Sequence, residues 1–224
     1  MTHDHTPRQP ATEHQQATEM FEPEAWQDRY SGEGTVWSGN PNAQLVAEAS
    51  RLTPGTAIDV GCGEGGDVIW LAQQGWTVTG ADFSENGLAR AARHAEEAGV
   101  ADRVRWWRVD ARSFEPGGRE YDLVTTHFLH PPDGGMVDVT RRLAGAVAPG
   151  GRLLVVGHAP SAVFTQLSES HRRAMFVAAE LVSSLPADFE VIAAEERPRT
   201  MTRDGVTRDV HDATLLARRR PTER

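Results

Sequence analysis

Four glycines within six residues, at positions 61, 63, 65 and 66, constrain this chain more than any other feature in it. Before them stands Thr56-Ala-Ile-Asp-Val60, whose small and β-branched residues suit a short buried strand. After them Asp67-Val-Ile-Trp-Leu-Ala-Gln-Gln74 opens a helical pattern. Strand, glycine-rich turn and helix, in that order, let backbone N–H groups approach an anionic group at the helix N-terminus. Gly61, Gly63 and Gly66 satisfy a G-x-G-x-x-G spacing, and Asp82 follows about 20 residues on, as a dinucleotide fingerprint requires. An NAD-dependent oxidoreductase is therefore one reading. Asp59 argues against it, because an acid two residues before the first glycine stands where dinucleotide folds carry an apolar residue. A carboxylate there suits a ligand with a cationic ammonium group.

The rest of the chain alternates. Trp76–Asp82, Val104–Asp110, Tyr121–Thr126, Arg152–His158 and Phe189–Ala194 read as strands. Helices are predicted from the cap Ser84 to about Glu97, from Gly134 to Ala148 and from Ser170 to Leu185. The last 25 or so residues read as a hairpin, with Asp204-Gly205 as its turn and Asp212–Ala217 as its return strand. The pattern predicts an α/β fold: a doubly wound seven-stranded sheet, mostly parallel, with an antiparallel C-terminal hairpin strand. Upstream, residues 1–20 are polar, and His3, His5 and His14 lack ligand spacing, so a disordered tail is expected there. Residues 21–52 read as an N-terminal helical lid, with Trp26 and Tyr30 on one helical face and Trp37 in a loop. A second helix begins behind a cap at Asn40 with Pro41 at its first position. Residues 53–224 form the main domain.

Composition excludes several functions. A net charge of −9 argues against a nucleic-acid backbone or an anionic membrane as the main partner. No apolar run approaches a membrane span, the first residues lack a signal-peptide pattern, and the single cysteine permits no internal disulfide. A cytoplasmic location is the expectation. The sequence has no lysine, which removes Schiff-base, P-loop and Ser–Lys chemistry.

Ile58-Asp-Val-Gly-Cys-Gly-Glu-Gly65, Gly80-Ala-Asp-Phe-Ser84, Val109-Asp-Ala111 and Ala148-Pro-Gly-Gly151 follow one another at separations that resemble the class I S-adenosylmethionine-dependent methyltransferases. The resemblance covers about residues 56–160 and implies a Rossmann-like domain that binds S-adenosylmethionine. The Trp26, Arg29-Tyr30 and Trp37-Ser-Gly39 lead-in is similar to that of small-molecule enzymes near the tellurite and thiopurine methyltransferase branch. By that resemblance Asp59 meets the ammonium, Gly61, Cys62 and Gly63 pass beside the methionine moiety, and Asp82 takes the ribose hydroxyls. Phe83 offers a surface to the adenine, while Asp110 and Ala111 bond its edge. Trp26, Tyr30 and Trp37 cover the ligand.

Methyl transfer from a sulfonium needs alignment more than activation. The acceptor then belongs beyond the sulfur, near Thr126, His127, Phe128, His130, Pro131, Pro132 and His158. His127, which also borders the cofactor, is the first candidate for a base, and His130 the second. A soft acceptor such as a thiolate needs none. No metal is expected, since Asp133 and Asp138 lack ligand spacing and His127 and His130 flank a strand end. His130-Pro-Pro-Asp133 differs from the Asn/Asp-Pro-Pro-aromatic motif of amino-group enzymes. Arg172, Arg173, Met175 and Phe176 are expected to open the late helix, and Arg197, Arg199, His211 and Asp212 belong to the hairpin. The expected partner is a small-molecule acceptor, with a protein that binds S-adenosylmethionine without transferring it as the non-enzymatic alternative.

Overall fold

The computed structural model describes residues 23–32, 34–131, 135–160, 172, 174–203 and 206–222. The polar tail and its histidines lie outside them, as do Pro132, Asp133, Arg173 and the Asp204-Gly205 turn. The described elements are α1 (Pro23–Arg29), α2 (Ala43–Ala49), β1 (Thr56–Val60), α3 (Gly66–Gln73), β2 (Thr77–Asp82), α4 (Glu85–Glu97), β3 (Val104–Arg108), β4 (Tyr121–His127), α5 (Met136–Ala144), β5 (Val147–His158), α6 (Ala178–Leu181), β6 (Phe189–Arg203) and β7 (Val206–Arg219).

Seven strands form one sheet in the order β3-β2-β1-β4-β5-β7-β6. The first five run parallel; β7 pairs antiparallel with both β5 and β6. The expected fold class is therefore the observed one. The chain winds outward from β1 to β3, returns to β4 beside β1, and winds out the other way. Ligands of such sheets lie in the crevice at the carboxyl ends of the strands, where the direction reverses.

Successive side chains on a strand point to opposite faces. Leu153 and Leu215 pack in the layer with Ile58, Phe114 and Leu143, while Leu154 and Leu216 join Leu45, Leu71 and Trp76 in the other. Helices on both faces explain why Leu153-Leu-Val-Val156 is continuously apolar rather than alternating. All four are buried, and truncating Leu153 to alanine would cost about 2–5 kcal/mol.

Several boundaries differ from those predicted. The cap of α2 is Asn42, not Asn40: its side chain accepts from the N–H groups of Gln44 and Leu45 at 2.8 and 3.3 Å. Two asparagines flank Pro41, and only the second has a free helical turn after it. The helix predicted for 134–148 spans Met136–Ala144, because Val147 already pairs with Tyr121 as the start of β5. Met175 and Phe176 do not open a helix; Phe176 is buried against Gly157 of β5, where any Cβ would collide with its ring. The terminal hairpin is longer than predicted, since β6 and β7 stay paired from Phe189↔Arg219 to Arg203↔Val206. Among the described residues no helix is long and apolar enough to cross a membrane.

Candidate active site

A cavity of about 1270 Å³ opens at the carboxyl ends of the central strands. Trp26, Tyr30, Trp37, Gly61, Cys62, Gly63, Asp82, Phe83, Asp110, Ala111, His127 and His130 all line it. The structure therefore brings these predicted site residues to one place, and Asp59 lies buried in β1 with its carboxylate beside His127.

The glycine-rich turn is shaped by its neighbours. Gly61 and Gly63 have φ values of 82° and 51°, where a side chain is strained. A Cβ on Gly61 would lie 2.9 Å from Leu129 Cδ1, and one on Gly63 would lie 2.7 Å from the Tyr30 hydroxyl. Tyr30 reaches this point because Trp37 Nε1 donates to its oxygen at 2.9 Å, with Trp26 packed against both rings at 6.0 and 5.9 Å.

Two carboxylates of the turn hold the segment above it. Glu64 Oε2 accepts from the backbone N–H groups of Val36 and Trp37 at 2.9 and 3.0 Å. Its other oxygen pairs with Arg90 at 2.7 Å in a buried contact, and Arg90 also donates to the carbonyls of Gly32 and Gly34. Asp67, in the first turn of α3, accepts from the Asn42 N–H at 2.6 Å. Glu64, Asp67 and Arg90 were not singled out from the sequence. The acids carried a faint signal, since an acid at a glycine-rich turn and another in a first helical turn face backbone donors. Arg90, 26 residues from Glu64, carried none.

Asp59, Asp67 and His127 form a charge cluster. His127 Nδ1 lies 3.0 Å from Asp67 Oδ2 and 3.4 Å from Asp59 Oδ1, an ion-pair approach without hydrogen-bond alignment to either. Burial opposes charge on this imidazole, but Asp67 above all, with Asp59, pushes its pKa up to about 10. Asp67 is correspondingly held below the usual carboxylate range by the imidazolium, against the cost of its burial. Asp59 fares differently. Burial raises its pKa, and His127 and the Thr125 hydroxyl, which donates at 2.8 Å, offset this only in part. The cluster thus holds a buried carboxylate short of cationic partners. Nε2 of His127 is buried without a hydrogen-bond partner. These three side chains also offer ligand atoms within 4.8 Å of one another, a set a metal ion can use; His130 is not in it.

The remaining predicted residues divide. Asp82 is buried, and its oxygens accept from the Gly63 and Ser84 N–H groups at 2.9 and 2.8 Å. Burial nevertheless pushes its carboxyl up, and a carboxylate has lone pairs left for two further donors. Asp110 lines the cavity, but its carboxylate is gripped by Arg112 at 2.7 Å and by the Arg112 N–H at 2.8 Å. Burial raises the Cys62 thiol well above its ordinary pKa, as suits a space-filling group. His130 stacks on His158 at 5.3 Å, and His158 lies tilted against Phe128 at 4.5 Å. Burial, then His130 and Arg199, push His158 down to about 3. Phe128 alone among non-glycine residues described has a left-handed backbone, with φ 52°. A bulky residue there is strained, and such strain collects at functional sites.

Residues 57–151 match the family described as "Methyltransferase domain". The chain is 35% identical over 133 residues to a ubiquinone biosynthesis O-methyltransferase of Pseudomonas paraeruginosa, a match covering 58% of this chain and 56% of that protein. The chain spans about half the length of the curated relatives it matches. Among solved structures, one described as "Conversion of a Disulfide Bond into a Thioacetal Group during Echinomycin Biosynthesis" superimposes with a TM-score of 0.71 at 22% identity, covering 90% of this chain and 94% of that one. TehB from Haemophilus influenzae gives 0.65 at 19% identity, covering 88% and 67%. At those identities the likeness is one of fold. With residues 57–151 matched to a methyltransferase family, and Gly61, Gly63 and Gly66 among them, the dinucleotide reading of that spacing gives way.

Proposed function

We propose that this chain is a class I S-adenosylmethionine-dependent methyltransferase that methylates a small-molecule nucleophile such as a thiol or phenol, a reading supported by the methyltransferase-domain match of residues 57–151. The observation that carries the reading is Asp59: a carboxylate buried behind the cavity wall, 3.4 Å from the lining residue His127 and left short of positive charge. The methionine ammonium of the cofactor is the cation it lacks. With that cation present, the two carboxylates Asp59 and Asp67 face two positive groups, and the cluster is balanced.

The other residues fit the same group. Asp82 receives the ribose hydroxyls, Phe83 and Ala111 border the adenine, and Tyr30, Trp26 and Trp37 close over it. Asp110 contributes less than expected, its carboxylate being committed to Arg112. When bound, S-adenosylmethionine supplies an activated methyl on a sulfonium, open to in-line displacement. The protein's own task is to align the acceptor and exclude water.

We assign His127 a role different from the expected base. An imidazole held protonated up to about pH 10 cannot accept a proton at neutrality, so its part is to balance the two carboxylates. His130 is the remaining candidate base, and a soft sulfur acceptor requires none. The charge cluster is proposed as the ammonium site and not as a metal centre. The net charge of −9 favours a small molecule over a nucleic-acid backbone.

Two measurements test the reading. Calorimetry should show micromolar binding of S-adenosylhomocysteine that disappears in Asp82→Ala. Incubating thiols, phenols and amines with methyl-labelled donor should then label at least one class. Binding without any labelling would favour a protein that holds the cofactor and transfers nothing.

A further inference from the structure

The cavity is divided by charge. Asp82 and Asp110 lie at the carboxyl ends of β2 and β3, and Glu64 and Asp67 at the turn after β1. Beyond β4 the wall is different: Phe128, His130, His158, Met175, Arg199 and Thr200. No described residue of that half of the lining is a carboxylate, and Arg199 is its permanent cation.

Arg199 is held in a specific way. Its Nε donates to both oxygens of Asp212 at 3.1 and 2.9 Å, and Asp212 is fully buried in β7. Among the described residues no acceptor faces its two terminal nitrogens. The guanidinium carbon sits 5.1 Å from the Phe128 ring centroid, beside the Phe128–His158–His130 stack. Arg197, two residues earlier on β6, is a useful contrast: Glu48 and Glu195 bind it at 2.7 and 2.9 Å, and it does not line the cavity. One arginine of the pair is used within the protein, and the other is aimed and left with donors to spare.

A guanidinium oriented through one edge presents its other N–H groups as a planar fork, which fits carboxylates and similar oxyanions. The rings beside it, with Phe128 tilted 32° to His158 and His130 stacked on His158, give the wall an aromatic character against which a planar group can pack. We propose that this half of the cavity is an acceptor subsite for a small planar molecule carrying a carboxylate or comparable oxyanion, with Arg199 as the residue that selects it. The proposal rests on reading the cavity as a methyl-transfer site. It adds the chemical class of the acceptor.

The test is a binding titration, so that it stands apart from turnover. Benzoate, salicylate and the uncharged isostere benzamide are titrated calorimetrically into the protein, with and without S-adenosylhomocysteine. Benzoate or salicylate should bind at least tenfold more tightly than benzamide. Arg199→Gln should abolish that preference while leaving S-adenosylhomocysteine affinity unchanged. Because Arg199→Gln strips the buried Asp212 of its partner, Arg199→Lys serves as a second variant; it keeps the charge, loses the fork, and should retain only part of the preference. Equal binding of benzoate and benzamide, or no binding of either anion, overturns the proposal, as does an anion preference that survives Arg199→Gln. A purely structural Arg199–Asp212 pair would lower the melting temperature without touching the ratio. Methyl transfer to uncharged thiols alone would sink the anion subsite and leave the methyltransferase reading standing.

Discussion

Glu64 and Arg90 form a buried ion pair, 2.7 Å apart, whose remaining atoms are spent on the backbone of residues 32–37. The glycine-rich turn and the segment that covers it are therefore tied through one carboxylate. Removing one member of a buried pair leaves the other uncompensated, typically at about 3–5 kcal/mol. Glu64→Ala should lower global stability by that order, read by denaturant unfolding. The milder Glu64→Gln should speed hydrogen exchange at the Val36 and Trp37 amides and weaken S-adenosylhomocysteine binding about tenfold. Unchanged exchange at those amides would show that the contact does not hold the segment down.

Asp59 should trade stability against binding. Its carboxyl is raised by burial, so ionising it opposes folding, and the penalty is greatest above its folded-state pKa. Asp59→Asn should leave the melting temperature of the free protein equal or higher while eliminating the ligand-induced rise. A variant that melts lower and still binds would contradict its role at the ammonium.

His127 gives a pH signature of opposite sign. Its folded-state pKa of about 10 lies above the ordinary 6.5, so its contribution is complete below about pH 6.5 and fades as pH rises through 10. His127→Gln should be less stable than the parent by about 3–5 kcal/mol in that lower range, with the gap closing toward pH 10. Thermal melts of both proteins across pH 6–10 decide it; a constant gap would mean that packing, not charge, is lost.

Phe128 is strained by its left-handed backbone, a cost of order 1–3 kcal/mol. Phe128→Gly relieves the strain but removes the ring against His158 and Arg199. Any labelled-acceptor turnover should fall at least tenfold in that variant, with S-adenosylhomocysteine affinity kept within about threefold. Equal losses of both would assign Phe128 to the cofactor.

What was readable in the sequence was what local pattern dictates. Asp59 stands two residues before the first glycine and Asp82 at the end of the next strand, and Ser84 caps α4 as its place before a helical run demands. The glycine spacing located the turn, although it pointed equally to a dinucleotide until the later acids were weighed. What depends on chain segments meeting in space was not readable. Asp67 looked like an ordinary first-turn acid and is the counter-ion of a histidine 60 residues away. Arg199 shares its strand with Arg197 and Arg203, and only the buried Asp212 beside it and its place on the cavity wall distinguish it. His127 shows the limit most plainly: its residue type suggested a base, and only the fold brings Asp67 and Asp59 to 3.0 and 3.4 Å from it, which pushes its pKa up.

Because Glu64 bonds the Val36 and Trp37 amides while its ion-pair partner Arg90, on α4, bonds the carbonyls of Gly32 and Gly34, this described part of the lead-in is not a detachable module. Recombining this lead-in with the core of a related enzyme would part Arg90 from the carbonyls of Gly32 and Gly34 and Glu64 from its amides. Any chimera that keeps these contacts has to carry position 64, position 90 and the lead-in together, as one block.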